Sequence, residues 1–374
     1  MARKDARVAL VFDWMTNKGG AEKVNLKLHQ MFPKAPIFTS IFNAEKIGEG
    51  FEDADIRTSF IQKLPFAKDK HQWYLNLMPY AYESFDLSQF DIVISSSHSC
   101  SKGIITKPET MHICYCHTPM RYLWDDWHTY IRDYKMPVII KRYAKKLLHH
   151  LRLWDKVAAD RVDYFVANSK TTQRRIDKYY RRPSTVVHPM IDINKYEIAP
   201  KTKGYFLAVG RLIPYKKFDL IVNTFNILGL PLKIVGTGIA EKDLQKIAKP
   251  NIEFLGFTDE ETLKKLYSEC EALIFPQIED FGITPLEAMA SGRPVIAYKD
   301  GGALETVIDG ETGIFFTKQD ELHLKGAVEK YLKEKHLFKK DKIREHASIF
   351  DEEEFERKFS KYVQQKWESF TGSQ

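Results

Sequence analysis

Two carboxylates eight positions apart, Glu279 and Glu287, flank the turn Asp-Phe-Gly-Ile-Thr-Pro-Leu directly after the apolar run 272–275. A buried strand ending at Pro276, a loop carrying Glu279 and a helix beginning near Thr284 account for that order of residues. Thr284 is placed to cap the helix, Pro285 suits its first helical position, and Glu287 falls three residues after the cap. Backbone amides at a helix start attract phosphate. The flanking carboxylates can each grip a pair of vicinal hydroxyls. A site that asks for an anion and hydroxyls together fits a nucleotide sugar.

Cations suited to a diphosphate lie earlier, in Val209-Gly-Arg-Leu-Ile-Pro-Tyr-Lys216-Lys217. Arg211 and Lys216 fall between a strand end and the next helix, the edge at which doubly wound sheets bind ligands. Arg offers a planar fork and Lys a point charge. A solvated basic turn is the plainer alternative. Gly19-Gly20, in the first strand-to-helix turn, lets a ligand approach backbone closely, although an ordinary turn explains it equally well. The glycines of Ile234-Val-Gly-Thr-Gly238 read as a tight turn at the mouth of a sheet, and Gly301-Gly302 as a turn that could admit a phosphate. His117, just past a buried strand and followed by Pro119 and aromatics, is placed to touch a ligand. His112, Cys114 and Cys116 share one strand face, but Cys-x-Cys lacks zinc-site spacing, and buried strand cysteines are the better reading.

These residues need sheets to hold them. Short β-branched or aromatic runs alternate with helical stretches twice along the chain, the pattern of parallel α/β sheets. In the first half the strands fall at 8–12, 37–41, 91–95, 111–116, 164–167 and 185–187. In the second they fall at 205–209, 232–235, 252–255, 272–275, 294–297 and 313–316, with helices at 217–228, 258–270 and 322–333 among the connections. Each set makes one doubly wound domain. The first spans 1–190 and the second 191–350, their joint lying within 189–203, and 351–374 forms a last helix with aromatics spaced for packing.

At 374 residues, 44% hydrophobic and 29% charged, the chain fits two globular domains. Met-Ala-Arg-Lys-Asp leads straight into the first strand, leaving no room for a signal peptide, so a cytoplasmic protein is expected. Residues 132–182 hold 15 Lys/Arg against 5 Asp/Glu, a net of +10, which leaves −3 for the rest of the +7 chain. Such a patch points to an acidic partner. Within it, 141–157 reads as an amphipathic helix. Tyr143, Leu147, Leu151, Trp154 and Ala158 share one face, and Lys141, Lys145, His149, Arg152 and Lys156 lie off it. That helix could lie on an anionic membrane or pack in the domain with its basic side solvated.

Gly19-Gly20, His117, Asn168-Ser169, Gly210-Arg211-Leu212 with Lys216, Glu279-x7-Glu287 and Gly301-Gly302 together resemble the retaining glycosyltransferases of the GT-B fold and family-4 type. The resemblance runs over nearly the whole chain. The wording of segments 115–125 and 275–282 is most similar to that of bacterial O-antigen mannosyltransferases. The resemblance implies two Rossmann-like domains facing a central cleft, with the nucleotide mostly on the second and the last helix crossing back to the first. It further implies that Arg211 and Lys216 hold the diphosphate and help it depart, while Glu287 takes the ribose hydroxyls. Glu279 would orient the sugar, supported by the amides of Phe281, Gly282, Ile283 and Thr284. Gly19 and Gly20 would bring backbone near phosphate or acceptor, and His117 would touch the donor sugar. Lys217 departs from the pattern, standing where relatives commonly have glycine.

The implied reaction is retaining transfer of mannose from GDP-mannose to a lipid-linked or polysaccharide acceptor in cell-surface glycan synthesis. It would take place on the inner face of the membrane, at an anionic lipid surface. No metal cofactor is expected, because no Asp-x-Asp stands in a suitable strand context and the fixed cations can offset the departing charge. The rivals are a transferase using a UDP-sugar, an epimerase or hydrolase on the same architecture, and a non-enzymatic RNA-binding or scaffold protein. No single-strand binding module supports the RNA reading.

Overall fold

The structure is a computed structural model that describes residues 6–17, 19–125 and 138–372. The chain divides into two compact units. One comprises the residues up to His188 together with those from Glu356 onward, and the other runs from Pro189 to Phe355. The joints thus fall at 188/189 and 355/356, against the expected 190/191 and 350/351.

The first unit is built on seven parallel strands: β1 (Val8–Phe12), β2 (Ile37–Thr39), β3 (Ile56–Thr58), β4 (Ile92–Ser97), β5 (Met111–Cys116), β6 (Tyr164–Ala167) and β7 (Ser184–Val186). Their order across the sheet is β3-β2-β1-β4-β5-β6-β7. The second unit has six: β8 (Phe206–Val209), β9 (Leu232–Val235), β10 (Ile252–Gly256), β11 (Leu273–Phe275), β12 (Val295–Tyr298) and β13 (Gly313–Phe316), in the order β10-β9-β8-β11-β12-β13. Apolar runs become parallel strands because both of their faces are covered. In β8, Phe206 and Ala208 enter one core cluster and Leu207 the opposite one. In each sheet the strand order reverses beside the first strand, between β1 and β4 and between β8 and β11. Ligands of doubly wound sheets bind outside the carboxyl ends of the strands at that switch point. The α/β, doubly wound architecture expected from the alternation is present in both units.

Three expectations need correction. The helix after Glu279 runs Ile283–Ala290, with Gly282 rather than Thr284 at its N-cap. Gly282 has φ +87°, which glycine adopts without strain, so the loop turns into the helix two residues early. Pro285 sits within the first turn, where its missing N–H would lack an intrahelical acceptor anyway.

The basic helix runs Val138–Asp160, and its buried side is rotated from the expected one. Leu148, Leu151, Asp155, Ala158 and Ala159 are buried, whereas Tyr143 is 62% exposed. Asp155 draws that face inward, since it pairs with buried Lys102 and accepts from Trp124 Nε1 (2.7 Å) and the Tyr180 hydroxyl (2.8 Å). Residues 132–137 of the basic patch lie outside the described residues.

The third is β3, which the sequence pattern did not show. It is an edge strand of three residues, two of them exposed.

Among the described residues no helix is long and apolar enough to cross a membrane.

Candidate active site

The loops that follow β8 and β11 meet at the second sheet's switch point. Gly210 continues β8 and donates its amide to the Val235 carbonyl (3.0 Å) at φ +154°. Arg211 follows and is exposed. A short 3-10 turn, Pro214–Lys216, then folds Lys216 back over Gly210; a Cβ on Gly210 would lie 3.5 Å from the Lys216 Nζ. From the other side Glu279 reaches the same ammonium, with Oε1 2.9 Å from Nζ. Both side chains are largely shielded, at 16% and 20% exposure, so their attraction is screened less than that of a surface pair. The structure therefore joins two of the sequence candidates directly, each holding the other in place.

Lys217 adopts the left-handed region, φ +58°, at the N-cap of the helix Phe218–Leu228. This position favours glycine, and a side chain there costs about 1 kcal/mol. The strain accounts for a preference for glycine there, and nothing in the structure explains the lysine.

Beyond Glu279 the loop is anchored through its side chains and its backbone. Phe281 is buried and packs against Phe350 with ring centroids 5.8 Å apart. Gly302 donates to the Glu279 carbonyl (2.9 Å), and a Cβ on Gly302 would lie 2.1 Å from the Phe281 carbonyl oxygen. Gly301-Gly302 is thus the place where two loops press together. The helix start leaves the amides of Ile283 and Thr284 without intrahelical acceptors. Glu287 is buried, and the Tyr267 hydroxyl donates to its Oε2 at 2.8 Å. Burial, and then the Glu287 charge, push the Tyr267 and Tyr196 phenols up. Gly236 and Gly238 pass within contact distance of the Gly210 and Leu212 carbonyls, the tight turn expected of them.

His117, Gly19 and Gly20 belong to the first unit. Gly19 is the N-cap of the helix Gly20–Met31 in an extended conformation open to any residue (φ −159°), and both glycines are exposed. His117 continues β5, is buried, and shares a hydrogen bond of 2.8 Å with the Ser96 hydroxyl. Burial, and then neighbouring His98, push its pKa down to about 3, so the ring is neutral at physiological pH. His112 on β5 is likewise lowered to about 3 by burial and meets the Ser95 hydroxyl. Cys114 and Cys116 are buried free thiols. Among the described residues no three His, Cys, Asp or Glu side chains form a metal-sized cluster.

One group at the first sheet's edge escaped sequence reasoning. Asp13, the residue after β1, is buried and accepts four backbone N–H groups, from His98 and Ser99 (both 2.7 Å) and from Cys100 and Ser101 (both 2.8 Å). The His98 Nδ1 adds a fifth contact at 3.2 Å. The available signal was weak: an acid directly after an all-apolar strand, with a serine-rich run far along the chain.

Residues 18–195 match the Glycosyltransferase Family 4 domain, and residues 190–349 match the Glycosyl transferases group 1 domain. With two parallel-sheet Rossmann-like units, the chain belongs to the GT-B glycosyltransferases of family-4 type. It is 24% identical over 291 residues to an alpha-1,3/1,6-mannosyltransferase of Dictyostelium discoideum, covering 64% of this chain and 66% of that protein. It is 24% identical over 362 residues to the Schizosaccharomyces pombe protein of the same description, covering 79% and 68%. The chain thus spans about two thirds of the length of these curated relatives. The solved structure of Anabaena HepE in complex with UDP-glucose has the same fold, with a TM-score of 0.72 at 16% identity over 96% of this chain and 99% of that one.

Proposed function

We propose that this chain transfers mannose from GDP-mannose, with retention of configuration, to a lipid-linked or polysaccharide acceptor in cell-surface glycan synthesis. The observation that carries the reading is the Lys216–Glu279 pair at the second switch point, beside exposed Arg211 and the amides of Ile283 and Thr284. Breaking a sugar–phosphate bond builds charge on the departing diphosphate. Arg211 and Lys216 offset that charge without a metal, and preorganised groups of this kind supply a large share of rate enhancement. Glu279, steadied by the ammonium, turns its carboxylate to the sugar hydroxyls, and Glu287 accepts from the ribose. His117, neutral, contacts the donor sugar. Gly19 has no backbone need to be glycine, which fits a ligand approaching it closely. Mannose is favoured over other sugars by the descriptions of the Dictyostelium and fission yeast relatives, and the bacterial O-antigen setting by the wording of segments 115–125 and 275–282.

With a lipid-linked acceptor, the reaction takes place at the cytoplasmic face of a membrane. Supporting this, the outward side of the helix Val138–Asp160 presents Arg142, Lys145 and Lys146 with exposed Tyr143, Leu153 and Val157, the composition of an interfacial helix.

Calorimetric titration of GDP, UDP and ADP, with a chelator present, is the test. GDP selectivity without metal is expected. UDP preference would replace the sugar and keep the transferase, and binding of none would remove the reading altogether.

A further inference from the structure

Two stretches of chain pass from one unit to the other, after His188 and after Phe355, and just inside the second unit they are tied together. Ile191 donates its amide to the Phe350 carbonyl and Ile193 to Asp351 Oδ1, both at 3.0 Å. The first stretch then closes in a short 3-10 turn, Ile193–Lys195, capped by the Asp192 side chain, and Tyr196 follows it. Arg344 fixes that turn to the helix Ile283–Ala290, since its guanidinium donates to the carbonyls of Ile193 (2.9 Å), Tyr196 (2.5 Å) and Ala290 (2.6 Å).

The same stretch reaches the candidate site by two routes. Tyr196 is buried, and its hydroxyl donates to the Glu287 carboxylate. The Tyr267 hydroxyl donates to the same group, the two rings standing 6.4 Å apart. A buried carboxylate needs such partners, and bonds to a charged acceptor are the strong ones. The two donors differ in where they come from: Tyr267 belongs to the helix Glu260–Glu269, Tyr196 to the connection. The second route runs from the Glu279 loop through Phe281 to Phe350, 5.8 Å away by ring centroid, whose carbonyl holds the Ile191 amide. A phenol from the connection on the carboxylate assigned to the ribose makes the state of each felt by the other.

We infer that Tyr196 is a positioning residue that holds Glu287 from the connecting stretch, so that a nucleotide seated on Glu287 stiffens residues 189–203. The inference rests on the reading of Glu287 as the group that takes the ribose. A nucleoside diphosphate whose ribose hydroxyls bind Glu287 fixes that carboxylate, and with it the Tyr196 side chain and the turn before it. Coupling of this kind is reciprocal: whatever orders the stretch raises nucleotide affinity by the same factor.

The test is hydrogen–deuterium exchange of the full chain, read in peptides covering 189–203, with GDP, UDP or ADP at concentrations that calorimetry shows to saturate. In the parent, the bound nucleotide is expected to slow exchange there about tenfold, within the usual range of coupling between sites. Tyr196→Phe keeps the ring and removes the donor. It should weaken the nucleotide about tenfold and abolish the slowing even at saturation. Tyr267→Phe should weaken the nucleotide similarly and keep the slowing, because Tyr267 lies outside the connection. That contrast separates positioning through Tyr196 from a general loosening of Glu287. Full slowing in Tyr196→Phe, or its loss in both variants alike, overturns the inference. Binding without slowing in the parent overturns it alone and leaves the transferase reading, whereas calorimetry showing no nucleotide bound removes both.

Discussion

The two sheets reverse their strand order in the same way, yet their edges are finished differently. At the first, four backbone amides converge on Asp13, a carboxylate from the same sheet. At the second, the corresponding loops are tied by side chains, Lys216 to Glu279, and the amides of Ile283 and Thr284 have no intrahelical acceptor. A switch point plugged by an internal anion has its amides already committed to structure. The one closed by an ion pair is the edge on which the proposed diphosphate site rests. The same topology thus carries two differently finished edges, and the difference rests on a few residues.

The comparison breaks most visibly if Asp13 is lost. Asp13→Ala leaves four buried amides unpaired, and we expect a stability loss of roughly 3–5 kcal/mol in urea unfolding followed by tryptophan fluorescence. All six tryptophans lie in stretches belonging to the first unit, so the signal reads that unit. GDP affinity under folding conditions should be unchanged; a parallel fall would mean that the two edges are not separate in role. At the second edge the effect should fall on turnover. Lys216→Ala is expected to lower the rate with saturating donor by about 10²–10³-fold with an unaltered melting temperature. A rate within threefold of the parent would strip the ion pair of its assigned part.

Acid should sharpen the contrast further. His112 and His117 are held near 3 and His71 near 4, all chiefly by burial. In the unfolded chain each takes up its proton near 6.5. The folded state therefore binds fewer protons below that pH, and stability falls as pH drops from about 6.5 toward those values. Between pH 7 and 5 a loss of a few kcal/mol is expected for the first unit by the same fluorescence readout; a constant urea midpoint would contradict it. The smallest effect concerns Lys217. Replacing it with glycine should relieve the left-handed strain and raise stability by up to about 1 kcal/mol, measured by differential scanning calorimetry, with turnover preserved.

Much of the fold could be read because parallel strands covered on both faces leave continuous apolar runs, as in Val8–Phe12 or Leu273–Phe275. β3 escaped because an exposed edge of three residues leaves no such run. The Glu279 loop was legible as a strand, a turn and a helix, but its start was misplaced, since Thr-Pro resembles a cap and the deciding fact is the positive φ of Gly282. The face of the helix Val138–Asp160 was misjudged because hydrophobic spacing cannot anticipate a buried Asp155 paired with Lys102 from another loop. Asp13 was invisible for the same reason. Its partners are backbone amides 85 to 88 positions away, and amides carry no sequence signature.

The last helix, Glu352–Gly372, begins in one unit and from Glu356 is counted with the other. Its Phe359, Tyr362 and Val363 are buried, with Phe359 against Tyr115 at 6.1 Å and Glu356 on Lys27 at 2.9 Å. The unit made first is thus completed by a segment made well after it. At ordinary ribosomal speeds of about 5–20 residues per second, residues up to His188 wait roughly 10–40 s for their closing segment. During that interval Tyr115 and Phe165 lack the contacts that Phe359 and Tyr362 later supply.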